Sequence, residues 1–346
     1  MKDNFYLFIG GAGHSGTTML ANIFNKHSLS LGVHGESRVI ESLDYIQKKY
    51  ASFSSAKQRL DFLEKHTFYG ITYKKRNYEY EKKKLNPYKS ILYTEDVKLD
   101  FQRDYIKLIN KALKKFEKSF FIEKTPSNVY HADEIMALHP HAKLLIIHRD
   151  VRDVVASLKK RYMTLLNNPE VYKHNLAAKK LDKDYNLVMD AVMWQKTIKA
   201  SYKALHLYGN DRIKIVSYEN IVSQPEKSIK MICNWLGISF EENMIELTSR
   251  NAADANQKKQ KGISGSSVGN YSSTLINAEI RVVEKYAQKG MELLELQPTA
   301  KKSFRSLKYA LLSYIKIINR VRKRIFLMKP SYLKEFTRRF FKRIKN

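Results

Sequence analysis

An eight-residue loop, Gly11-Ala12-Gly13-His14-Ser15-Gly16-Thr17-Thr18, constrains this chain more than any other segment. It follows the apolar run Phe5-Tyr6-Leu7-Phe8-Ile9 and precedes the helical pattern Met19-Leu20-Ala21-Asn22-Ile23-Phe24. A GxxxxG turn between a buried strand and a helix gathers backbone N–H groups and the positive end of the helix dipole around one anion. The segment therefore predicts a strand–loop–helix unit that grips a phosphate group. Thr17 stands where a nucleoside-triphosphate loop carries the lysine that neutralises the β- and γ-phosphates. The loop suits a nucleotide with a single 5′-phosphate group.

Further apolar, β-rich runs lie at 119–123, 143–148 and 212–217, and Leu31-Gly32-Val33-His34 offers another short strand. Helical periodicity fills most of the intervals. The pattern predicts an α/β fold: a three-layer parallel sheet of the P-loop nucleotide-binding type, with helical insertions and a basic helical C-terminal tail. Ligands of such sheets bind at the carboxyl ends of the strands, where the loop sits. A Tyr/Lys-rich stretch at 67–95 reads as an insertion over the site or an irregular surface loop, and 162–186 is a similar insertion. Pro298 marks the expected end of a body spanning 1–298, with the tail at 299–346.

The chain of 346 residues has a formal net charge of +29, unevenly distributed. Residues 301–346 hold 16 Lys/Arg and one acid, Glu335. Apolar residues recur at helical spacing in this tail (Phe304, Leu307, Leu311, Ile315, Ile318). It reads as an amphipathic helix for an anionic membrane surface or another polyanion, the alternative being a helix packed on the body with a solvated basic face. No motif supports specific nucleic-acid recognition. Cys233 is the only cysteine, which excludes an internal disulfide, and its apolar surroundings suggest a buried thiol. With no secretory or membrane-spanning pattern, the expected location is cytoplasmic, at most peripheral on the inner membrane face.

Two other segments carry chemistry. In Leu144-Leu145-Ile146-Ile147-His148-Arg149-Asp150 a buried strand ends in an arginine, and a helix from about Asp150 places Ser157 two turns on. Arg149 and Ser157 can hold one phosphate from two directions; the alternative is an Arg149–Asp153 surface ion pair. In Phe121-Ile122-Glu123-Lys124-Thr125-Pro126 a second strand ends in Lys124, with Pro126 expected to open a helix.

With these motifs in place, roughly residues 5–290 resemble sulfotransferases that use 3′-phosphoadenosine 5′-phosphosulfate. The loop resembles that family's 5′-phosphosulfate loop, which implies cofactor contacts from Gly13, His14, Ser15, Gly16, Thr17 and Thr18. Arg149 and Ser157 match its R-x7-S element for the 3′-phosphate. Ser217-Tyr218-Glu219 resembles a strand-end tyrosine element, and Lys261-Gly262-Ile263-Ser264 a later cofactor loop, which implicates Tyr218, Lys261 and Ser264. The segment Val33–Ile40 is similar to the Glu-x-Arg segment of tyrosylprotein sulfotransferases. That resemblance implies Glu36 as catalytic base, Arg38 as its orienting partner and Lys124 as the lysine assisting transfer. His14 stands where the family usually has Arg or Lys.

The implied reaction is an in-line displacement at sulfur, in which a hydroxyl loses a proton as the phosphate leaving group gains charge. Lys124, His14 and the loop N–H groups would stabilise that charge, with no metal required. The product would be adenosine 3′,5′-bisphosphate. The expected acceptor is a hydroxyl of a carbohydrate or glycolipid. Protein tyrosine is less favoured, since the disulfides of the secretory-pathway enzymes cannot form here. Two other readings compete: a nucleotide-dependent kinase with a degenerate loop, and an inert polyanion- or membrane-binding protein on the same fold.

Overall fold

A computed structural model describes residues 4–33, 35–69, 100–167, 185–246 and 263–327. Most of the Tyr/Lys-rich stretch, most of the 162–186 insertion, Lys261 and the last part of the tail lie outside the described residues. The chain forms two compact units, one of Met1–Asp150 with Lys196–Val268, the other of Val151–Gln195 with Gly269–Asn346.

The first unit is built on five parallel strands: β1 (Phe5–Gly11), β2 (Ser30–Gly32), β3 (Phe120–Lys124), β4 (Ala142–His148) and β5 (Ile213–Ser217), ordered β2-β3-β1-β4-β5. Side-chain parity explains why the strands read as unbroken apolar runs. Leu7 and Ile9 of β1, with Ile122, Leu145 and Ile147, pack on one face against Leu20, Ile23 and Phe24 of helix α1 (Thr17–Phe24). Tyr6 and Phe8, with Phe121, Leu144 and Ile146, pack on the other face. There they meet helices α2 (Leu43–Ala51), α3 (Ala56–Glu64), α4 (Phe101–Lys115) and α5 (Ala132–Leu138). Both faces are covered, as a parallel sheet requires. Cys233 lies in the first of these cores, and burial raises its thiol pKa to about 11.

Pro126 opens a helix as its position suggests, a short 3-10 helix, Pro126–Tyr130. His131 leaves helical geometry (φ −124°, ψ 32°), and α5 starts only after it. Asn128, within that turn, spends its side-chain amide on the Ile9 carbonyl (3.2 Å) and on Glu123 (2.6 Å), which fixes the turn against the sheet.

The second unit is helical. It contains α6 (Val151–Asn167), α10 (Tyr271–Thr274), α11 (Asn277–Leu293) and α12 (Arg305–Leu327); between α6 and α10 the chain forms α7 (Leu187–Arg212, broken at Gly209), α8 (Tyr218–Ser223) and α9 (Pro225–Leu236). Arg152 and Glu284 form a buried ion pair at 3.2 Å. The Glu284 carboxylate also accepts the N–H groups of Thr299 (2.7 Å) and Ala300 (3.2 Å), which ties the chain leading into α12 onto α11. Asp153 accepts the N–H groups of Gly269 and Tyr271. A buried carboxylate that accepts two backbone N–H groups is a structural group, holding the start of α10 against α6.

Candidate active site

Sheet register collects the site at one edge of the first unit. Ile9 pairs with Lys124, Gly11 with Ile147, Gly32 with Ile122, and His148 with Ser217. The loop after β1, Lys124 at the end of β3, Arg149 after β4, Tyr218 after β5 and the segment after β2 therefore emerge together. This is the carboxyl edge at which open α/β sheets bind ligands.

The phosphate loop depends on two glycines. A Cβ on Gly11 would stand 2.4 Å from the Ile147 carbonyl oxygen. Gly16 has φ 96°, and a Cβ there would meet the Tyr218 ring at 2.7 Å. Gly16 is also the N-cap of α1 and makes no side-chain capping bond, so the first-turn N–H groups have no side-chain cap. Gly13 is exposed, Thr17 is buried and Thr18 half-buried. Ser15 is fully buried, and its hydroxyl has no hydrogen-bond partner among the described residues. A buried hydroxyl without a partner is costly unless a ligand satisfies it, so the loop's chemistry fits an anionic phosphate oxygen.

Glu36, Arg38 and Lys124, separate in sequence, converge. One carboxylate oxygen of Glu36 accepts Lys124 Nζ at 3.2 Å. The other accepts Arg38 Nε at 3.3 Å and Nη2 at 3.1 Å. Lys124 is buried, whereas Glu36 and Arg38 keep partial access to solvent. Arg38 adopts φ 54°, a left-handed conformation that turns its side chain back onto Glu36 two residues earlier.

That turn is held by a residue sequence reasoning did not single out. Glu123 is buried, and one of its oxygens accepts the Ser37 N–H (3.2 Å), the Ser37 hydroxyl (2.7 Å) and the Thr125 hydroxyl (2.7 Å). The other accepts Asn128 Nδ2 at 2.6 Å. Thr125 Oγ1 in turn accepts the Arg38 N–H at 3.2 Å. The sequence does carry a signal for it: a carboxylate inside the apolar run Phe120-Phe121-Ile122-Glu123 must find buried donors.

Arg149 is buried, with its guanidinium 4.5 Å over the Tyr218 ring. It donates from Nη1 to the His14 carbonyl (3.2 Å) and from Nη2 to the Ser267 carbonyl (2.6 Å). It thus joins the phosphate loop to the later loop that contains Ser264, whose hydroxyl contacts that of Ser266 at 2.9 Å. His14 has φ 65° and is half-buried. Ser157, in the other unit, is half-buried at the seventh residue of α6. Lys261 lies outside the described residues. Among the described residues no group of three or more His, Cys, Asp or Glu forms a metal site.

A parallel sheet with an uncapped glycine loop after its first strand, and basic residues at the tips of its neighbours, defines an α/β protein of the P-loop-like class. Comparison with known proteins narrows the class. The profile described as "Sulfotransferase family" matches residues 7–242. Protein-tyrosine sulfotransferase 2 of Gallus gallus is 24% identical over 245 residues, covering 70% of this chain and 54% of that protein. The chain therefore matches about half the length of this relative. The sulfotransferase domain of the Synechococcus PCC 7002 olefin synthase superposes with a TM-score of 0.50 at 19% identity, over 83% of this chain and 96% of that domain, a likeness of fold. The sulfotransferase domain from the curacin biosynthetic pathway gives 0.48 at 13% identity, over 86% and 99%. The chain belongs to the sulfotransferase family.

Proposed function

We propose that this protein transfers a sulfuryl group from 3′-phosphoadenosine 5′-phosphosulfate to a hydroxyl acceptor. The observation that carries the reading is the Glu36 carboxylate held between Lys124 and Arg38, at the sheet edge that also carries the phosphate loop. In the reaction the acceptor oxygen forms a bond to sulfur as the bond from sulfur to the 5′-phosphate oxygen breaks. The electron pair leaves with adenosine 3′,5′-bisphosphate, and the acceptor proton passes to Glu36. Lys124, buried beside that carboxylate, supplies positive charge for the sulfuryl oxygens and the leaving phosphate. Ser15 and the N-terminus of α1 serve the 5′-phosphate. Arg149 and Ser157 serve the 3′-phosphate on the strength of the sequence motif, with Tyr218 stacked on Arg149 as its support. Lys261 and Ser264 complete the donor site in the same reading.

The favoured acceptor is a carbohydrate or glycolipid hydroxyl in a reducing, cytoplasmic compartment, because the single Cys233 leaves no disulfide to form. Protein tyrosine is the second reading, supported by the likeness to the Gallus gallus protein. Calorimetric titration tests the donor assignment. Adenosine 3′,5′-bisphosphate should bind without metal and far more tightly than ATP with Mg²⁺; the reverse order overturns it and restores the kinase reading. Glu36→Gln should lower turnover by about 10²–10⁴-fold while the bisphosphate affinity stays within a few-fold. Labelled donor offered to cell-envelope glycolipids and to tyrosine peptides then separates the acceptors.

A further inference from the structure

The C-terminal helix of the second unit faces the wrong way for a helix that stabilises its own core. Its solvent side carries Leu307, Leu311, Tyr314, Ile315 and Ile318, with Leu307 at 74% and Leu311 at 59%, and Phe304, fully exposed, stands just before its first residue. At 100° per residue the five helical residues fall within an arc of about 100°, one continuous apolar stripe. The side turned toward the unit carries Ser306, Ala310, Ser313 and Ile317, with Ser313 only 5% exposed. Polar contacts hold that orientation: Asn186 Nδ2 donates to the Ser313 carbonyl at 2.9 Å, and the hydroxyls of Tyr314 and Tyr286 meet at 3.2 Å. A helix merely packed on its own body would bury the leucines and expose the serines.

We propose that this outward stripe is a docking surface for an anionic lipid bilayer. Charge selects the occupant. From Lys301 to Leu327 the chain carries nine Lys/Arg and no acid. Arg305 and Lys308 are exposed and lie to one side of the stripe on the helical wheel, Lys301 and Lys302 are exposed just ahead of the helix, and Arg322 is exposed further along it. An amphipathic helix of this kind lies in the bilayer interface, its apolar side chains among the acyl chains and its bases at the anionic headgroups. A second copy of the same helix would set base against base. The phosphate backbone of a nucleic acid would leave the apolar stripe unused. No described helix is long and apolar enough to cross a membrane, so the helix lies on the surface rather than spanning it. The inference rests on nothing in the proposed sulfuryl chemistry.

Co-sedimentation of the full chain with vesicles tests it, comparing phosphatidylcholine alone with phosphatidylcholine containing phosphatidylglycerol. The anionic vesicles should bind at least about tenfold better, and the preference should weaken with salt. The double variant Leu307→Asp/Leu311→Asp, at exposed positions, should lose about tenfold or more of that binding with an unchanged circular dichroism spectrum. A second variant, Leu311→Trp, should show a blue-shifted emission only with anionic vesicles. Three outcomes overturn the proposal: binding that the aspartate pair leaves intact, no vesicle binding at all, or a dimer in solution that the aspartate pair dissolves.

Discussion

Glu123 accepts four hydrogen bonds, three of them from Ser37 and Thr125, and so sets the backbone that carries Glu36 and Arg38. Exchanging it for glutamine replaces one acceptor oxygen with an NH₂ facing donors that are already in place. A buried network left half-satisfied relaxes until its donors find other partners. Glu123→Gln should therefore lower kcat by about 10²-fold through misplacement of Glu36. The affinity for adenosine 3′,5′-bisphosphate, which the proposed site holds through other residues, should change little. That split separates a positioning role from general unfolding, and wild-type turnover in the variant would refute it. Lys124 and Glu36 act as a pair in the same way: removing either leaves a partly buried charge of the other sign uncompensated.

Among the elements, the junction of β1 and α1 tolerates least. Gly16 combines a left-handed φ of 96° with a Tyr218 ring already at contact distance, so a methyl group there meets both strain and overlap. Gly16→Ala should weaken bisphosphate binding by more than about tenfold and cost about 1–2 kcal/mol of stability. Titration calorimetry and chemical denaturation read the two effects separately. For the stability effect Gly13→Ala is the control, since a Cβ at Gly13 meets no protein atom within 4 Å. The 3-10 helix after β3 joins local preference to tertiary contact: Pro126 opens it, and Asn128 ties it to Glu123 and to β1.

For the whole molecule, acid sensitivity follows from two imidazoles, the buried His148 and the half-buried His66. His148 donates through Nε2 to Ser201 Oγ (2.9 Å), because that hydroxyl gives its own proton to the Thr197 carbonyl (2.8 Å). Its ring is neutral, and burial lowers its pKa to about 4. Burial, with Lys65 nearby, likewise lowers His66 to about 4. The unfolded chain takes up these protons below about pH 6.5 while the folded chain refuses them until about pH 4. Stability is therefore fully present above pH 6.5 and is lost as pH falls toward 4, by about 3 kcal/mol from His148. Urea midpoints at pH 7, 5.5 and 4.5 should fall in that order, and His148→Gln should flatten the trend. Saturating bisphosphate should raise stability by about 2.7 kcal/mol at one hundred times its Kd, measurable as a higher Tm.

The sequence alone determined the buried strand runs and the phosphate loop, because both are local. Strand runs such as Phe5–Ile9 and Leu144–His148 are apolar on both faces, and GxxxxGTT needs only its own glycines to turn. It also determined the basic, amphipathic character of residues 301–327. Only the tertiary structure decided what lies between distant residues. The Glu36–Lys124 pair joins positions 88 apart. Glu123 looked like part of a strand until its donors arrived from Ser37, Thr125 and Asn128. The direction in which the tail's apolar stripe points was likewise settled by packing, since a helical pattern fixes which residues share a face and not which face turns inward. Register between strands and the docking of helices depend on contacts across the chain, and no local run of residues encodes them.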